Sequence, residues 1–292
     1  MIRPTPADTL KVAGLTVLFA ALLSVDYEAL ALAGIVVESP LQVIIVAFLD
    51  TLVLSYFTVS SRWTGSKEWA TLFTVLYGMV YVLTSIETVY LGSLLSASTV
   101  LSLLVNGAIS SAIFAAALIW TYGGKKVRFT SLARLQMPLR EWAWKIAVSA
   151  GVYLILFIGF GALVYAPLGK ALDSVAFAQE QAAAASMAVL VFPTELLRGA
   201  LWTVLAACAA IALPFGWKKT GVVVGLIMAV PLSLSQFLST AESMGLQLAH
   251  TGEIFGENMV FGLVLVWILH AHSRLSTYDE QGERIRTVGD LP

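Results

Sequence analysis

The sequence predicts an all-α integral membrane protein, a polytopic bundle of about eight transmembrane helices. Its composition, its long apolar stretches and its placement of basic residues all lead to this prediction. Of the 292 residues, 59% are hydrophobic and 12% are charged, whereas a soluble domain is nearer half apolar and a quarter charged. Because even a large soluble domain leaves much of its surface in water, a chain this apolar is expected to fold in lipid.

Eight apolar stretches account for most of the chain. They fall at 10–25, 41–61, 69–92, 98–122, 142–168, 186–214, 219–240 and 253–272. Most reach the roughly 20 residues that an α-helix needs to cross about 30 Å of hydrocarbon. The first is short if it ends at Asp26, and it reaches a full span if it continues towards Val37. The strict alternation of a transmembrane β-barrel is absent, so helices are predicted.

Lysine and arginine alternate between the two sides of the predicted membrane. Fifteen of the 17 lie near the N-terminus or near the ends that face each other after the second, fourth, sixth and eighth stretches. The basic segment that follows the fourth stretch runs to Lys145. The intervening segments hold only Lys170, and Arg198 lies inside the sixth stretch. Because basic loops remain in the cytoplasm, we predict a multi-pass protein of the cell membrane with both termini cytoplasmic. The alternation also requires an even number of spans.

The predicted spans divide into two halves. We expect an N-terminal four-helix half at 1–122, a basic cytoplasmic linker at 123–140, a C-terminal four-helix half at 141–275 and a cytoplasmic tail at 276–292. The linker is expected to lie on the anionic inner leaflet, and the polar tail is expected to be loosely ordered. The external segment 169–185 contains an alanine-rich run that predicts a short surface helix.

The two halves resemble each other in layout, which suggests an internal repeat. Each has an acid within its second span, a short basic turn, an acid at the end of its third span and an asparagine in its fourth. Four spans per half would make the repeat parallel, with its axis along the membrane normal. The alternative is that alternating helical hairpins simply look alike.

Several classes of function receive no support from the sequence. The net charge of −1 gives no reason to predict nucleic-acid binding. Cys208 is the only cysteine, so it cannot form a disulfide within the chain. His250 is placed in an external turn, and His270 and His272 end the eighth span without the facing geometry of a haem site. No cofactor is predicted, and no metal is assigned.

The candidate site consists of polar residues inside or at the rim of the spans. A charged group at the centre of a bilayer costs roughly 2.5–3.5 kcal/mol on insertion scales, so such residues need a reason. The predicted ligand-binding set is Asp50, Glu87, Asn106, Glu195, Arg198, Glu242, Glu257 and Asn258. The carboxylates of this set, together with Glu253, fall in the outer half of the predicted membrane. The pattern favours an outward-facing acidic site.

Structural explanations compete with the functional one. Glu195 and Arg198 are three residues apart on one helix, so they can pair as a packing salt bridge. Asp50 is expected either to be protonated or to pair with Arg198, with Thr51 and Ser55 as hydrogen-bond partners.

Two further structural explanations apply to the other candidates. A helix N-terminus would explain Glu253. Asn106 and Asn258 can act as interhelical hydrogen-bonding residues.

One segment resembles a known family. Pro193-Thr-Glu195-Leu-Leu-Arg198-Gly199 is similar to the Glu-Glu-x-x-x-Arg-Gly motif of CPBP-type membrane proteins, which are CAAX prenyl endopeptidase-like. Here one of the two acids is present, and its spacing to arginine is short. Glu253 and Glu257-Asn258 stand where the family has a histidine motif. The resemblance covers less than a tenth of the chain and implies a distant, non-peptidase relative.

The leading prediction is a transport or ligand-binding protein that takes a cation, a proton or an amine at this acidic site. One alternative is a non-catalytic subunit of a membrane complex, and another is an intramembrane enzyme acting on a lipid or prenyl substrate. No constellation of His, Cys or Ser supports catalysis. The expected partners are the lipid bilayer, a small cation or lipid ligand, and membrane-protein partners or further copies of the chain.

Overall fold

The computed structural model describes residues 6–31, 40–90, 96–123, 132–134, 137–185, 188–235, 243–271, 276–278 and 284–285. The helices are α1 (Pro6–Ala31), α2 (Pro40–Ser60), α3 (Gly65–Leu76), α4 (Leu83–Tyr90), α5 (Ala97–Tyr122), α6 (Leu139–Phe160), α7 (Ala166–Leu172), α8 (Ser174–Ala185), α9 (Ala188–Ala212), α10 (Trp217–Ser235) and α11 (Met244–His270). The strands are β1 (Leu132–Arg134), β2 (Ser276–Tyr278) and β3 (Arg284–Ile285).

Among the described residues, 8 helical stretches are long and apolar enough to cross a membrane. Two of them are composite: a π-helical turn at Tyr77–Val82 joins α3 to α4, and another at Gly161–Tyr165 joins α6 to α7. The other spans are α1, α2, α5, α9, α10 and α11. The prediction of an all-α polytopic membrane bundle with about eight spans is therefore confirmed. The surface helix predicted within 169–185 is also confirmed, as α8.

The basic segments meet at one end of the bundle. The backbone N–H of Arg62, between α2 and α3, donates to the carbonyl of Ala212 at the end of α9 over 2.9 Å. Lys11 near the start of α1 donates to a carbonyl in the last turn of α5, and Lys145 near the start of α6 donates to Leu269 near the end of α11. We name this the basic end and its opposite the distal end.

A small antiparallel sheet joins the linker to the tail. β2 pairs with both β1 and β3, and Leu132 lies opposite Tyr278. The tail was expected to be loosely ordered, but two short segments of it form strands because the linker offers a pairing partner. The remainder of the tail lies outside the described residues.

Lys145 corrects one detail of the topology prediction. It was assigned to a basic loop, but it lies inside α6 with no exposed surface. Its ammonium group donates to the carbonyls of Leu269 and Ala271 over 2.9 and 2.8 Å and pairs with Glu141 at 2.8 Å. These carbonyls end α11, so the buried cation neutralises the negative end of that helix dipole.

The packing partners of the spans follow the same order in both halves. In the N-terminal half the first span packs on the second and fourth, and the fourth packs on the second and third. In the C-terminal half the fifth packs on the sixth and eighth, and the eighth packs on the sixth and seventh. Between the halves, the second span packs on the seventh and the third on the sixth. The halves therefore meet through the spans at corresponding positions.

Close backbone contact holds α10 against α11. A Cβ added to Gly262 would lie 2.4 Å from the Cα of Gly225 and 2.6 Å from its backbone nitrogen. Only glycine leaves room for this approach, which is how small residues replace hydrophobic driving force between membrane helices. The contact fixes the position of α11, which carries Glu257 and Asn258 of the candidate site.

Candidate functional site

Glu195 and Arg198 form a buried ion pair on α9. Both carboxylate oxygens of Glu195 accept hydrogen bonds from Nη1 of Arg198, at 2.8 and 2.9 Å. Only 1% of the Glu195 side chain and 10% of the Arg198 side chain are exposed. The ion pair predicted from their spacing is confirmed. Arg198 therefore pairs with Glu195 rather than with Asp50.

Tyr153 of α6 shows that the ion pair shares a layer with Glu257. A Cβ added to Gly199 of α9 would lie 2.9 Å from the Cβ of Tyr153, and the ring of Tyr153 lies 5.2 Å from that of Phe261 on α11. Both α9 and α11 run from the distal end to the basic end. Glu195 precedes Gly199 by one turn and Glu257 precedes Phe261 by one turn, so both carboxylates lie in the next layer towards the distal end.

Glu257 lies at the centre of its helix. It is 3% exposed, and with α11 spanning Met244–His270 it is about 20 Å from either helix end, at 1.5 Å per residue. The sequence placed it at the outer start of the eighth span, whereas it lies at the middle of α11. The neighbouring Asn258 was expected to bond to another helix, but its Nδ2 donates to the carbonyl of Ile254 in α11 over 2.9 Å.

The start of α11 corrects two predictions. The eighth span was expected to begin at residue 253, with His250 in a turn, but α11 begins at Met244 and contains His250. Glu253 therefore lies well inside the helix, too far from its N-terminus for the dipole to explain a 93% buried carboxylate. His250, Glu253 and Glu257 are spaced by three and four residues, so they line one face of α11.

A polar cluster lies at the distal end of this face. The hydroxyl of Tyr165 donates to Glu180 of α8, and Nε2 of His250 lies 3.6 Å from Oε1 of Glu180 and 4.0 Å from Oε2 of Glu253. The rings of Tyr165 and His250 stack at 4.1 Å with an angle of 3° between their planes. The cluster therefore links α8, the π-helical turn and α11.

The π-helical turn and α8 position this cluster. A Cβ added to Gly161, the first residue of the turn, would lie 3.3 Å from Oε1 of Glu253. A π-helical turn displaces the residues that follow it, and such turns are frequent at functional sites. Asp173 caps α8 by accepting from the backbone N–H of Ala176 over 3.0 Å. Hydrogen bonds from the Ser243 side chain and from Ala176 lower the pKa of Asp173 below its ordinary value.

Together these side chains define a polar stripe in the C-terminal half, from the distal end to the middle of the bundle. We name it the polar lane, and it comprises Glu180, His250, Glu253, Glu257, Glu195 and Arg198. It lies among α6, α8, α9 and α11. The lane holds four carboxylates and one permanent cation.

Asp50 lies apart from the lane in the N-terminal half. Its helix α2 packs chiefly on α1, α5 and α10, and Asp50 itself is 3% exposed. The expected hydrogen bonds from Thr51 and Ser55 are absent, since neither hydroxyl has a partner among the described residues.

The other predicted residues are Asn106, Glu87 and Glu242. Asn106 is half-buried within α5. Glu87 belongs to α4, but its side chain lies outside the described part of the structure, as does the whole of Glu242.

Sequence reasoning missed Glu180, Tyr165 and the role of His250. Glu180 was part of an alanine-rich surface run, and Tyr165 was one of many aromatic residues near helix ends. The spacing of His250 to Glu253 was an available signal, since residues three apart share a helix face. It went unused because hydropathy placed the helix start after His250.

Two cavities between the halves are apolar. One, of about 220 Å³, lies between the third and sixth spans against Tyr77 and Leu205. The other, of about 210 Å³, lies between the second and seventh against Tyr56 and Val223. The polar residues of the predicted site therefore line neither cavity. Among the described residues, no group of three His, Cys, Asp or Glu side chains is placed to hold a metal ion.

The fold defines the class of the protein: a polytopic, all-α, multi-pass membrane protein with buried charges within its spans. Comparison of the chain with protein-family models, with curated proteins and with solved structures found no match. What the lane does must therefore be argued from its own residues.

Proposed function

We propose that the protein transports a proton or a small cation, and that the polar lane is its site. The observation that supports this most is the line of acidic side chains on one face of α11. From His250 to Glu257 the face advances about 10 Å towards the middle of the membrane. Chains of Glu, Asp and His inside membrane spans are typical of proton and cation pathways.

The charge balance of the lane favours a cationic occupant over an anionic one. Its four carboxylates are Glu180, Glu195, Glu253 and Glu257, and Arg198 compensates Glu195 directly at 2.8 Å. An anion would meet the remaining carboxylates before it reached Arg198. Glu253 and Glu257 are four residues apart on one face, where like charges repel and a proton or a cation weakens the repulsion. An occupant that carries positive charge relieves this repulsion.

The basic end supports an orientation for the pathway. Cytoplasmic loops are rich in Lys and Arg, and the described basic segments meet at one end of the bundle. We therefore place both termini in the cytoplasm and the distal mouth of the lane outside. A proton or cation then reaches Glu257 from the external side, past Glu180 and His250.

The packing pattern supports a parallel internal repeat, which explains why the lane occupies one half only. Phe19 of α1 stacks on Phe114 of α5 at 4.2 Å, and Tyr153 packs on Phe261 in the corresponding spans. Aligning Phe114 with Phe261 pairs Ser110 with Glu257. The N-terminal half therefore keeps the scaffold but lacks the carboxylate, so we assign it a supporting role.

The observation that Glu195 shares a layer with Glu257 also favours a second candidate function. Glu195 lies in the segment that resembles CPBP-type proteins, and Glu257 stands where that family has a histidine motif. Glu195 as a base, with Arg198 holding an anion, could act on a lipid or prenyl substrate. Proton flux without turnover of such a substrate would exclude this candidate.

The test is proton flux into vesicles that contain the purified protein. The vesicles enclose a pH-sensitive dye, and a potassium gradient with valinomycin sets the membrane potential. We expect the wild-type protein to carry protons and Glu257→Gln to lower the flux at least about tenfold, since general acid–base groups contribute 10²–10⁴-fold where they carry a proton. Methylammonium uptake in the same vesicles tests the cation alternative.

Glu68→Gln is the matched control. Glu68 is a fully buried acid in the first turn of α3, so it shares residue type and burial with Glu257 but lies outside the lane. Its variant should keep wild-type flux. Unchanged proton and methylammonium flux in both Glu257→Gln and Glu195→Gln would refute the proposal.

A further inference from the structure

Asp50 and two hydroxyls within the next five residues are buried polar groups of α2, in the N-terminal half. Asp50, Thr51 and Ser55 are 3%, 0% and 7% exposed. Oδ1 of Asp50, Oγ1 of Thr51 and Oγ of Ser55 are buried and have no hydrogen-bond partner among the described residues. Buried polar groups in folded proteins are nearly always satisfied, so three unsatisfied oxygens within six residues point to a bound species.

Many hydroxyls of the spans are paired, although Ser111 of α5 and Ser149 of α6 are also buried without a hydrogen-bond partner among the described residues. The usual arrangement is a hydrogen bond to the carbonyl four residues earlier, which Thr16, Thr58, Thr71, Thr121, Thr203 and Thr251 all make. Thr58 lies on the same helix as Asp50, so α2 itself permits the bond. Thr51 and Ser55 leave this bond unmade, and their oxygens stay available for another ligand.

No buried cation of the described chain compensates Asp50. The buried basic side chains are Lys145 and Arg198, on α6 and α9, whereas α2 packs chiefly on α1, α5 and α10. Asp50 lies ten residues after Pro40, where α2 begins, and Arg198 lies ten residues after the start of α9. At the position where the C-terminal half carries its own cation, the N-terminal half carries a carboxylate.

We propose that Asp50, Thr51 and Ser55 bind a small monovalent cation, with sodium as the probe. One carboxylate balances one positive charge, and carboxylate and hydroxyl oxygens are the ligands that hard cations prefer. A proton on Asp50 would neutralise the carboxylate but has one O–H to donate, so it could satisfy at most one of the two hydroxyls. The site is separate from the polar lane and does not depend on the proposed transport function.

The test is sodium binding by the purified full-length protein. Equilibrium binding of radioactive sodium and the thermal unfolding midpoint are measured in sodium, potassium and choline chloride at equal ionic strength. We expect saturable binding and an unfolding midpoint that rises with sodium but not with choline. Asp50→Asn should abolish both effects, and Ser55→Ala should weaken the apparent affinity about three- to tenfold.

Glu257→Gln separates this site from the lane, since it should keep the sodium response while losing proton flux. If Asp50→Asn does not fold, Thr51→Val with Ser55→Ala serves instead, and it should weaken binding while leaving Asp50 in place. The proposal is overturned if the wild-type protein shows no saturable sodium binding. It is equally overturned if Asp50→Asn binds sodium as the wild type does, or if Glu257→Gln alone abolishes binding.

Discussion

Removing the charge of Arg198 alone should lower the free energy of unfolding far more than removing the charges of Arg198 and Glu195 together. The two groups are 2.8 Å apart, so their attraction is about 6 kcal/mol at an effective dielectric constant of 20 and about 1.5 kcal/mol in water. Arg198→Met leaves the carboxylate of Glu195 buried without its cation, which typically costs 3–5 kcal/mol. In the double variant Glu195→Leu with Arg198→Met neither charge remains, so most of that cost should be recovered.

A double-mutant cycle measures the effect, with the free energy of unfolding determined in lipid bicelles for the wild type, the two single variants and the double variant. We expect a coupling energy of about 3 kcal/mol. Two controls bear on the result: Glu195→Gln keeps the size of the side chain, and Arg198→Lys keeps the charge but loses the planar guanidinium. A coupling energy below about 1 kcal/mol, the value of a solvated surface pair, would contradict the burial of the Glu195–Arg198 pair.

Three further predictions follow from contacts outside the ion pair. Gly262→Ala should destabilise the protein by about 1–3 kcal/mol because its Cβ would meet the backbone of Gly225; Gly252→Ala, whose nearest neighbours are 3.7 Å away, should be neutral or stabilising in the same thermal assay. Lys145→Met should lower stability by about 3 kcal/mol because it uncaps α11 and leaves a carboxylate unpaired, and hydrogen exchange should speed up in the last turn of α11. The folded state lowers the pKa of Asp173, so its contribution to stability is present above its ordinary pKa of 3.8 and is lost as the pH falls through its lower folded value. Amide hydrogen exchange in α8 should become faster in that pH range. Asp173→Asn should remove this pH response while keeping the helix cap.

The sequence was sufficient to predict the architecture because few backbone structures can span lipid. Backbone groups in hydrocarbon must bond within the segment, so long apolar runs become helices whatever their neighbours are. Positions 98–122, for example, were predicted as a span, and α5 is Ala97–Tyr122. The Glu195–Arg198 pair was equally predictable, since residues three apart on a helix meet without any tertiary information.

Contacts between helices could not be predicted from the sequence. Of the two alternatives for Asp50, the pairing with Arg198 was wrong, because it required knowing which spans are neighbours. The burial of Lys145 likewise depends on where α11 ends. Hydropathy placed the start of the eighth span too late because polar residues such as Gln247 and His250 occupy the first turns of α11. The π-helical turns have no signal in apolar periodicity, yet one of them positions Glu253.

The most direct test of the central claim is whether the lane is open to water from the distal end. A single cysteine is placed at Glu253 in a Cys208→Ser background and exposed to a charged, membrane-impermeant thiol reagent from one side at a time. Ile109→Cys on α5, where the side chain is 54% exposed on the surface that faces lipid, serves as the unreactive control. The polar lane predicts labelling of position 253 from the external side only. Labelling solely from the cytoplasmic side, or no labelling at all, would contradict it.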